Sequence, residues 1–405
     1  MNYTFSDRIS TLQPSAIREI LKTTSDPSVI SLAAGNPSAQ AFPTEALSRI
    51  MAAVMAETPA LALQYSVSEG YGPLRQTIAD FVTQREILPH TTPGRTMPSI
   101  TPDQCLIISG AQQALDFAAR CLCNEGDTVI CESPSFIGAL NAFRSYSVNL
   151  VGVELLDDGM DIAALEQALQ HNPRTRFIYI ISNFQNPTGI TTSLAKRQAI
   201  YDLARCHNVT ILEDNPYGDL RYGGNPLPSL KTLDEDGRVI YCGSFSKIIA
   251  PGLRLAYVIA PPPVIAKFTV AKQCADVHTN MLAQIICQRF LLEEDISAHL
   301  NRLRPLYQST RDLMLSGIDA HFPQSVACTR PEGGLFLWAT LPPAIDMFAF
   351  CRQAAARKVA VVPGNAFTVD EQTPSSSFRL NFSTPSDAQI QEGIAILGQL
   401  LHETL

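Results

Sequence analysis

The sequence predicts an α/β protein: a large domain with a seven-stranded, mostly parallel sheet covered by helices, and a smaller α+β domain after it. Between Gln104 and Ala260, short β-branched and aromatic runs alternate with helical stretches, the order that parallel strands joined by crossover helices produce. Beyond about residue 290 the order changes to helices, then three separated strand-like runs, then a last helix. The 405 residues are enough for two such cores. We expect an N-terminal segment, 1–45, that packs with the small domain, a large domain, 46–290, and a small C-terminal domain, 291–405.

Taken in order, residues 14–21 read as a short helix with Ile17, Ile20 and Leu21 on one face and Arg18 beside them. Residues 31–37, which include Gly35, are a strand end and a turn. Gln64-Tyr65-Ser66 and Glu69-Gly70-Tyr71-Gly72 form a loop that opens a helix running through Phe81. The seven strands of the large sheet are expected at 105–109, 128–132, 150–154, 177–182, 210–214, 239–243 and 255–260. In the small domain, strands are expected at 334–339, 359–362 and 378–382. In the last of these, Phe378, Leu380 and Phe382 alternate with Arg379 and Asn381, which puts the two sets on opposite faces.

Composition narrows the function. With 46% apolar and 17% charged residues the chain belongs with soluble globular proteins. The 38 acidic against 30 basic residues give a charge of −8, which repels nucleic acid and anionic membrane, so any phosphate site has to be local. The N-terminus lacks a basic stretch followed by an apolar one, and no apolar run reaches about eighteen residues; a cytoplasmic protein is expected. The ten cysteines form no C-x-x-C pair and read as buried thiols, examples being Cys121, Cys131, Cys242 and Cys287. Seven scattered histidines without ligand spacing give no metal site.

The stretch Ser244-Phe245-Ser246-Lys247, followed by Pro251-Gly252-Leu253-Arg254, is fixed at both ends by strand-like runs. Two hydroxyls, an amine and a guanidinium within eleven residues suit a dianionic phosphate beside a reactive amine. A lysine amine is freed for Schiff-base formation when burial and cationic neighbours disfavour its charge. The plain alternative is a solvated loop. Ser244 and Lys247 also fit the S-x-x-K of serine acylases, but the S-D-N and K-T-G elements of that group are absent.

In sheets of this kind, ligands gather at the carboxyl ends of strands. Ser109-Gly110-Ala111-Gln112 lies at one such end, where backbone N–H groups beside a glycine form either an anion site or a simple turn. Asp214 lies at another, with Tyr217 three residues on; it is either a helix cap or, beside a lysine Schiff base, the partner of a protonated pyridine nitrogen. Asn186 either holds a turn or donates to a phenolate oxygen, and Phe136 either fills the core or stacks on an aromatic ring. Arg379, carried on a strand, is a stiff forked receptor for a carboxylate.

Seven motifs carry a resemblance: Leu63-Gln64-Tyr65-Ser66 with Glu69-Gly70, Asn186-Pro187-Thr188-Gly189, Glu213-Asp214-Asn215-Pro216-Tyr217, Ser244-Phe245-Ser246-Lys247 with Arg254, Gly333-Gly334-Leu335-Phe336-Leu337-Trp338, Pro363-Gly364-Asn365-Ala366-Phe367, and Phe378-Arg379. With them in this order, the chain resembles the class I and II aminotransferases of the fold-type I pyridoxal phosphate enzymes over nearly its whole length. The resemblance is strongest to the 2-aminoadipate and kynurenine aminotransferase branch. It implies pyridoxal 5′-phosphate as cofactor, amino acids and 2-oxo acids as substrates, and a homodimer with shared sites. It further implies Lys247 as Schiff-base lysine and proton shuttle, Asp214 on the pyridine nitrogen, and Asn186 and Tyr217 on the ring oxygen. Ala111, Gln112, Ser244, Ser246 and Arg254 would surround the phosphate, with Tyr65 reaching it from the partner subunit. Arg379 would hold the substrate α-carboxylate, with Gly35 and Asn186 nearby, and Arg18 would meet an acidic substrate side chain or stand as a solvated helix charge. One position departs from the branch: Phe136 stands where a tyrosine is common, so ring stacking is kept and a hydroxyl is lost.

Two other functions fit parts of the pattern. A lyase or oxidase would use the same fold and cofactor, and is separated from a transaminase by releasing ammonia without a 2-oxo acid acceptor. A non-catalytic effector domain of the kind found in aminotransferase-like transcription regulators would follow a basic winged-helix domain, for which about 45 upstream residues are too few.

Overall fold

Residues 105–108, 129–131 and 177–180 are buried without interruption, a pattern that requires helices on both faces of the sheet that carries them. The computed structural model describes residues 2–10, 26, 28–90, 99–342, 345–370 and 373–405. Its strands are β1 (Ile30–Ser31), β2 (Cys105–Ile108), β3 (Thr128–Ser133), β4 (Asn149–Leu156), β5 (Gly159–Met160), β6 (Thr175–Ile180), β7 (Thr210–Asn215), β8 (Val239–Ser244) and β9 (Ala256–Ile259). The small domain adds β10 (Ala327–Cys328), β11 (Phe336–Thr340), β12 (Val359–Ala360), β13 (Val362–Pro363) and β14 (Ser377–Asn381).

The large sheet has the order β2-β9-β8-β7-β6-β3-β4-β5. Its seven main strands are those expected; the eighth, β5, is a two-residue hairpin return antiparallel to β4 that the sequence pattern did not show. Pairs β4-β3, β3-β6, β6-β7 and β7-β8 are parallel, and β9 runs antiparallel to both β8 and β2. The two reversals return β2 to the direction of β8, so the carboxyl ends of six strands, β2, β3, β4, β6, β7 and β8, open on the same edge. Between β3 and β6 the winding changes direction, which leaves a crevice there.

The small domain holds the antiparallel sheet β10-β11-β14-β13, and its long helices Ile296–His321 and Asp387–Thr404 pack on each other. The expected strand 359–362 is divided: β12 joins β1 in a separate two-stranded parallel ladder, and β13 joins β14. The chain passes from one sheet to the other at Val361, between the two strands. In β14 both faces are buried, so the Arg379 side of the strand faces protein rather than solvent. All ten cysteines are free; Cys121 is half-buried, and Cys206 and Cys274 are exposed, against the expectation of buried thiols. Among the described residues no helix is long and apolar enough to cross a membrane, and no cluster of His, Cys, Asp or Glu suits a metal ion.

One buried cation anchors the loop after β6. Arg197, fully buried in the helix Leu194–Cys206, donates to the carbonyls of Thr192 (2.9 Å), Pro228 (2.8 Å) and Ser182 (2.7 Å) and to Asn183 Oδ1 (2.8 Å). Replacing it with methionine removes all four bonds, and of the four acceptors Ser182 O keeps another donor, Thr192 N (3.0 Å). Arg197→Met should lower the unfolding free energy by roughly 3 to 5 kcal/mol in urea denaturation. A change under about 1 kcal/mol would show that water takes the place of the guanidinium.

Candidate active site

A cavity of about 380 Å³ opens at the carboxyl ends of the large sheet, against β11 and β14 of the small domain. Ala111 and Gln112 reach it from the end of β2, Phe136 from β3, Asn186 from β6, Asp214 and Tyr217 from β7, and Ser244, Ser246 and Lys247 from β8. Arg254 enters from the turn before β9, Arg379 from β14, and Gly35 from the segment after β1.

One end of the cavity is built for an anion. Ala111 precedes the helix Gln112–Leu122; the Gln113 and Ala114 N–H groups donate to Gly110 O (3.0 Å) and Ala111 O (2.9 Å), which leaves the Ala111 and Gln112 N–H groups at the helix start for an anion. Gly110 has φ +90°, and a Cβ there would lie 2.2 Å from Arg254 Nη2, so only glycine lets the guanidinium reach the turn. Arg254 itself adopts a left-handed φ of 51°, and its partners are the carbonyls of Pro251 and Ser109, both at 3.4 Å. It makes no ion pair among the described residues. Ser244 Oγ accepts from Ser246 N at 3.2 Å, which holds both hydroxyls on one tight loop.

The middle of the cavity is flanked by a ring and a carboxyl. Gln112 Nε2 donates to Gly138 O at 2.7 Å, and a Cβ at Gly138 would lie 2.5 Å from the Phe136 ring, so glycine there allows the ring its position. Asp214 is buried and accepts one hydrogen bond, from Tyr179 at 3.1 Å; its Oδ1 has no partner among the described residues. Burial pushes this carboxyl up to about 7. Glu132 is buried behind it, accepts from Ile181 N (3.1 Å) and Gln185 Nε2 (3.3 Å), and is raised by burial to about 8. Gln185 Oε1 in turn accepts from Thr188 N (3.0 Å) and Thr188 Oγ1 (2.8 Å), which shapes the loop that carries Asn186.

Lys247 Nζ donates to Gly35 O at 2.8 Å. Burial, then the charges of Arg379 and Arg254, lower its pKa to about 8, so the free amine is accessible near neutrality. Arg379 is buried between aromatic rings, its guanidinium carbon 4.3 Å from the centre of Phe336 and 5.0 Å from that of Phe367. It donates to Asn186 Oδ1 at 2.8 Å and Ala33 O at 2.6 Å, and its Nε has no partner among the described residues. Burial lowers its pKa to about 10, still far above neutrality.

Two expected residues stand apart. Tyr65 is 83% exposed and does not line this cavity within its own chain. Arg18 lies outside the described residues, as does the helix expected around it. Tyr179 and Glu132 are supporting residues that the sequence reading missed; each is a polar side chain in an otherwise apolar strand run, which was the available signal.

Residues 27–397 match the family profile "Aminotransferase class I and II". The chain belongs to the class I and II aminotransferases. It is 38% identical, over 99% of its length and 94% of the relative's, to aromatic-amino-acid aminotransferase 1 of Thermococcus litoralis. It superposes with a TM-score of 0.93 on Pyrococcus horikoshii kynurenine aminotransferase in complex with PMP, at 36% identity over 99% of this chain and 97% of that one. The α-aminoadipate aminotransferase LysN from Thermus thermophilus, complexed with N-(5′-phosphopyridoxyl)-L-leucine, gives a TM-score of 0.89 at 36% identity, over 99% of this chain and 97% of that one. The protein is thus a pyridoxal 5′-phosphate-dependent aminotransferase that exchanges amino groups between amino acids and 2-oxo acids. The cavity fits that cofactor: an unpartnered buried carboxyl oxygen stands ready for a ring N–H, and a guanidinium beside helix N–H groups for a phosphate.

The charges of the site give the aminotransferase a pH signature. In the cofactor-free protein Asp214 keeps its proton up to about 7, whereas its ordinary value is 3.8, so the folded state binds the extra proton between them and stability falls as pH rises through that window. Lys247 acts in the opposite sense: lowered from 10.5 to about 8, it leaves the unfolded chain with the extra proton, and stability rises as pH climbs between those values. Thermal unfolding of the cofactor-free protein should show less of this fall in stability between about pH 4 and 7 in Asp214→Asn than in the parent. Equal slopes would show that the carboxyl is already ionised in the fold.

Proposed function

We propose that Lys247 is the lysine that carries the cofactor and then moves the proton at the substrate α-carbon. Support comes from its position: a half-buried amine of lowered pKa in one cavity with an unpartnered carboxyl oxygen and a guanidinium that forms no ion pair among the described residues. Pyridoxal 5′-phosphate supplies an electron sink for the α-carbon's electrons when bound. Asp214 would hold the ring nitrogen protonated, Asn186 and Tyr217 would face the ring oxygen, and Phe136 would stack on the ring. Ala111, Gln112, Ser244, Ser246 and Arg254 would hold the phosphate.

Arg379 would hold the substrate α-carboxylate. Two of the five guanidinium N–H donors are taken by protein, and the two aromatic rings fix its plane, which leaves a forked donor set for a planar anion. Gly35 lies where a Cβ would meet the Phe336 ring at 3.0 Å, so the substrate side chain would pass beside a bare backbone against an aromatic wall. This supports amino donors with apolar or aromatic side chains.

The working unit would be a homodimer. Leu61, Leu63, Tyr65 and Val67 are all exposed, Leu63 at 70%, and Met51 and Met55 extend the same apolar strip. Tyr65 would reach the phosphate of the partner's site. The ten unpaired cysteines are in keeping with a cytoplasmic setting.

Lys247→Ala should keep its fold and lose more than about a hundred-fold in turnover, the lower bound for a general acid–base group. Borohydride trapping of the cofactor on any other lysine would overturn the assignment. Turnover should require a 2-oxo acid acceptor; ammonia released without one would mean elimination instead.

The dimer is tested by mixing. Lys247→Ala and Tyr65→Ala subunits, each strongly impaired, should regain activity after exchange, because one site of every mixed dimer holds both residues. Roughly a quarter of all sites is the ceiling for random pairing. No recovery after confirmed exchange would place Tyr65 outside the partner's site.

A further inference from the structure

Behind the anion turn lies a second lysine, one that the cavity does not use. Lys272, near the end of the helix Pro262–Gln273, has a fully buried side chain. Its ammonium donates to Gln113 Oε1 (2.9 Å), Asp276 Oδ1 (2.9 Å) and Oδ2 (3.0 Å), and Thr279 Oγ1 (2.9 Å). Three partner residues meet the three N–H donors of a lysine. An ammonium is expensive to bury, so its presence asks what the arrangement holds in place.

It holds Ser109. The Ser109 N–H donates to Gln113 Oε1 (3.0 Å), its Oγ donates to Asp276 Oδ2 (2.5 Å) and meets Thr279 Oγ1 (3.0 Å), and its carbonyl accepts from Arg254 (3.4 Å). Every polar group of Ser109 is therefore tied either to a residue that Lys272 holds or to the anion-binding arginine. Gly110, Ala111 and Gln112 follow directly. The same loop reaches further: Gln284 donates to Thr279 O (2.7 Å) and accepts from Tyr71 N (2.7 Å), and the His278 ring stands edge-on to Tyr65, centroids 5.8 Å apart.

We propose that Lys272 is a positioning residue that keeps the turn from Ser109 to Gln112 preformed for the cofactor phosphate, acting through Gln113, Asp276 and Thr279. This rests on the reading of that turn and Arg254 as the phosphate end of the site. Without the ammonium, Asp276 is left unpaired, Gln113 is released from the lysine, and the turn has to be ordered when the phosphate arrives. Lys272 does not line the cavity, so its effect falls on the turn at the phosphate end.

The test separates phosphate recognition from general packing. The full chain, freed of cofactor, is titrated by fluorescence with pyridoxal 5′-phosphate, with pyridoxal and with inorganic phosphate. Lys272→Met and the shape-conserving Thr279→Val should weaken pyridoxal 5′-phosphate and inorganic phosphate, roughly ten-fold for Lys272→Met, the scale seen when a residue supporting a metal ligand is removed. Pyridoxal should bind both variants as it binds the parent. Equal losses for pyridoxal and its phosphate would reduce Lys272 to a packing residue and overturn the proposal. Should Lys272→Met fail to fold, the ratio in Thr279→Val decides. Arg254→Gln serves as the control: an unchanged ratio there would refute the phosphate reading itself. A lowered ratio in Arg254→Gln, with unchanged ratios in the other two variants, would refute only the role of Lys272.

Discussion

A buried carboxyl, a half-buried lysine amine and a buried guanidinium stand around one cavity, and none of the three forms an ion pair with another. Left to themselves, Asp214, Lys247 and Arg379 would relax toward water or toward each other. The surrounding structure prevents both. Asp214 is fixed on a strand paired on both sides, Lys247 on a loop between two strands, and Arg379 on a strand with rings on its guanidinium faces. The cost of desolvation is carried by the rest of the fold, whose apolar strands give the large sheet two apolar clusters built from alternate strand residues. What results is a site poised for a ligand that brings its own charges in the complementary order.

Much of this was readable from the residue pattern. The seven strand runs were legible because their β-branched and aromatic residues contrast with the helical stretches between them, and their carboxyl ends located Ala111, Phe136, Asn186, Asp214 and Ser244. The two-residue strand β5 was invisible because it has no run long enough to show a period. The division of residues 359–363 between two sheets was invisible for a different reason: both sheets want the same buried valines, and only tertiary pairing decides which residue goes where. The partners behind the site were the hardest to see. Tyr179 and Glu132 gain meaning only when neighbouring strands align them with Asp214, and Asp276, which Lys272 holds, meets Ser109 across 167 residues of chain.

The two kinds of charge in the molecule are handled differently. Surface pairs such as Arg330 with Asp319 and Lys358 with Asp26 stand at exposed positions, where solvent limits what each contributes. The cations of the site and its flanking loop, by contrast, bond mainly to carbonyls: Arg197 to three, Arg379 to Ala33, Lys247 to Gly35. Carbonyl partners satisfy donors without neutralising charge. This is how the site keeps a positive interior that favours phosphate and carboxylate while the molecule as a whole carries −8.

The carbonyls of Ala33 and Gly35 come from the segment that follows β1, and β1 is held in place by β12, with Ile30 opposite Val359. An early stretch of the chain thus waits for one made near the end. During synthesis the central sheet can form on the ribosome as its strands emerge in turn, but the residues that orient Lys247 and Arg379 cannot settle until the C-terminal domain has left the exit tunnel. A nascent chain would carry a finished sheet and an unfinished catalytic centre, so the competence to react arrives last, with the final strands.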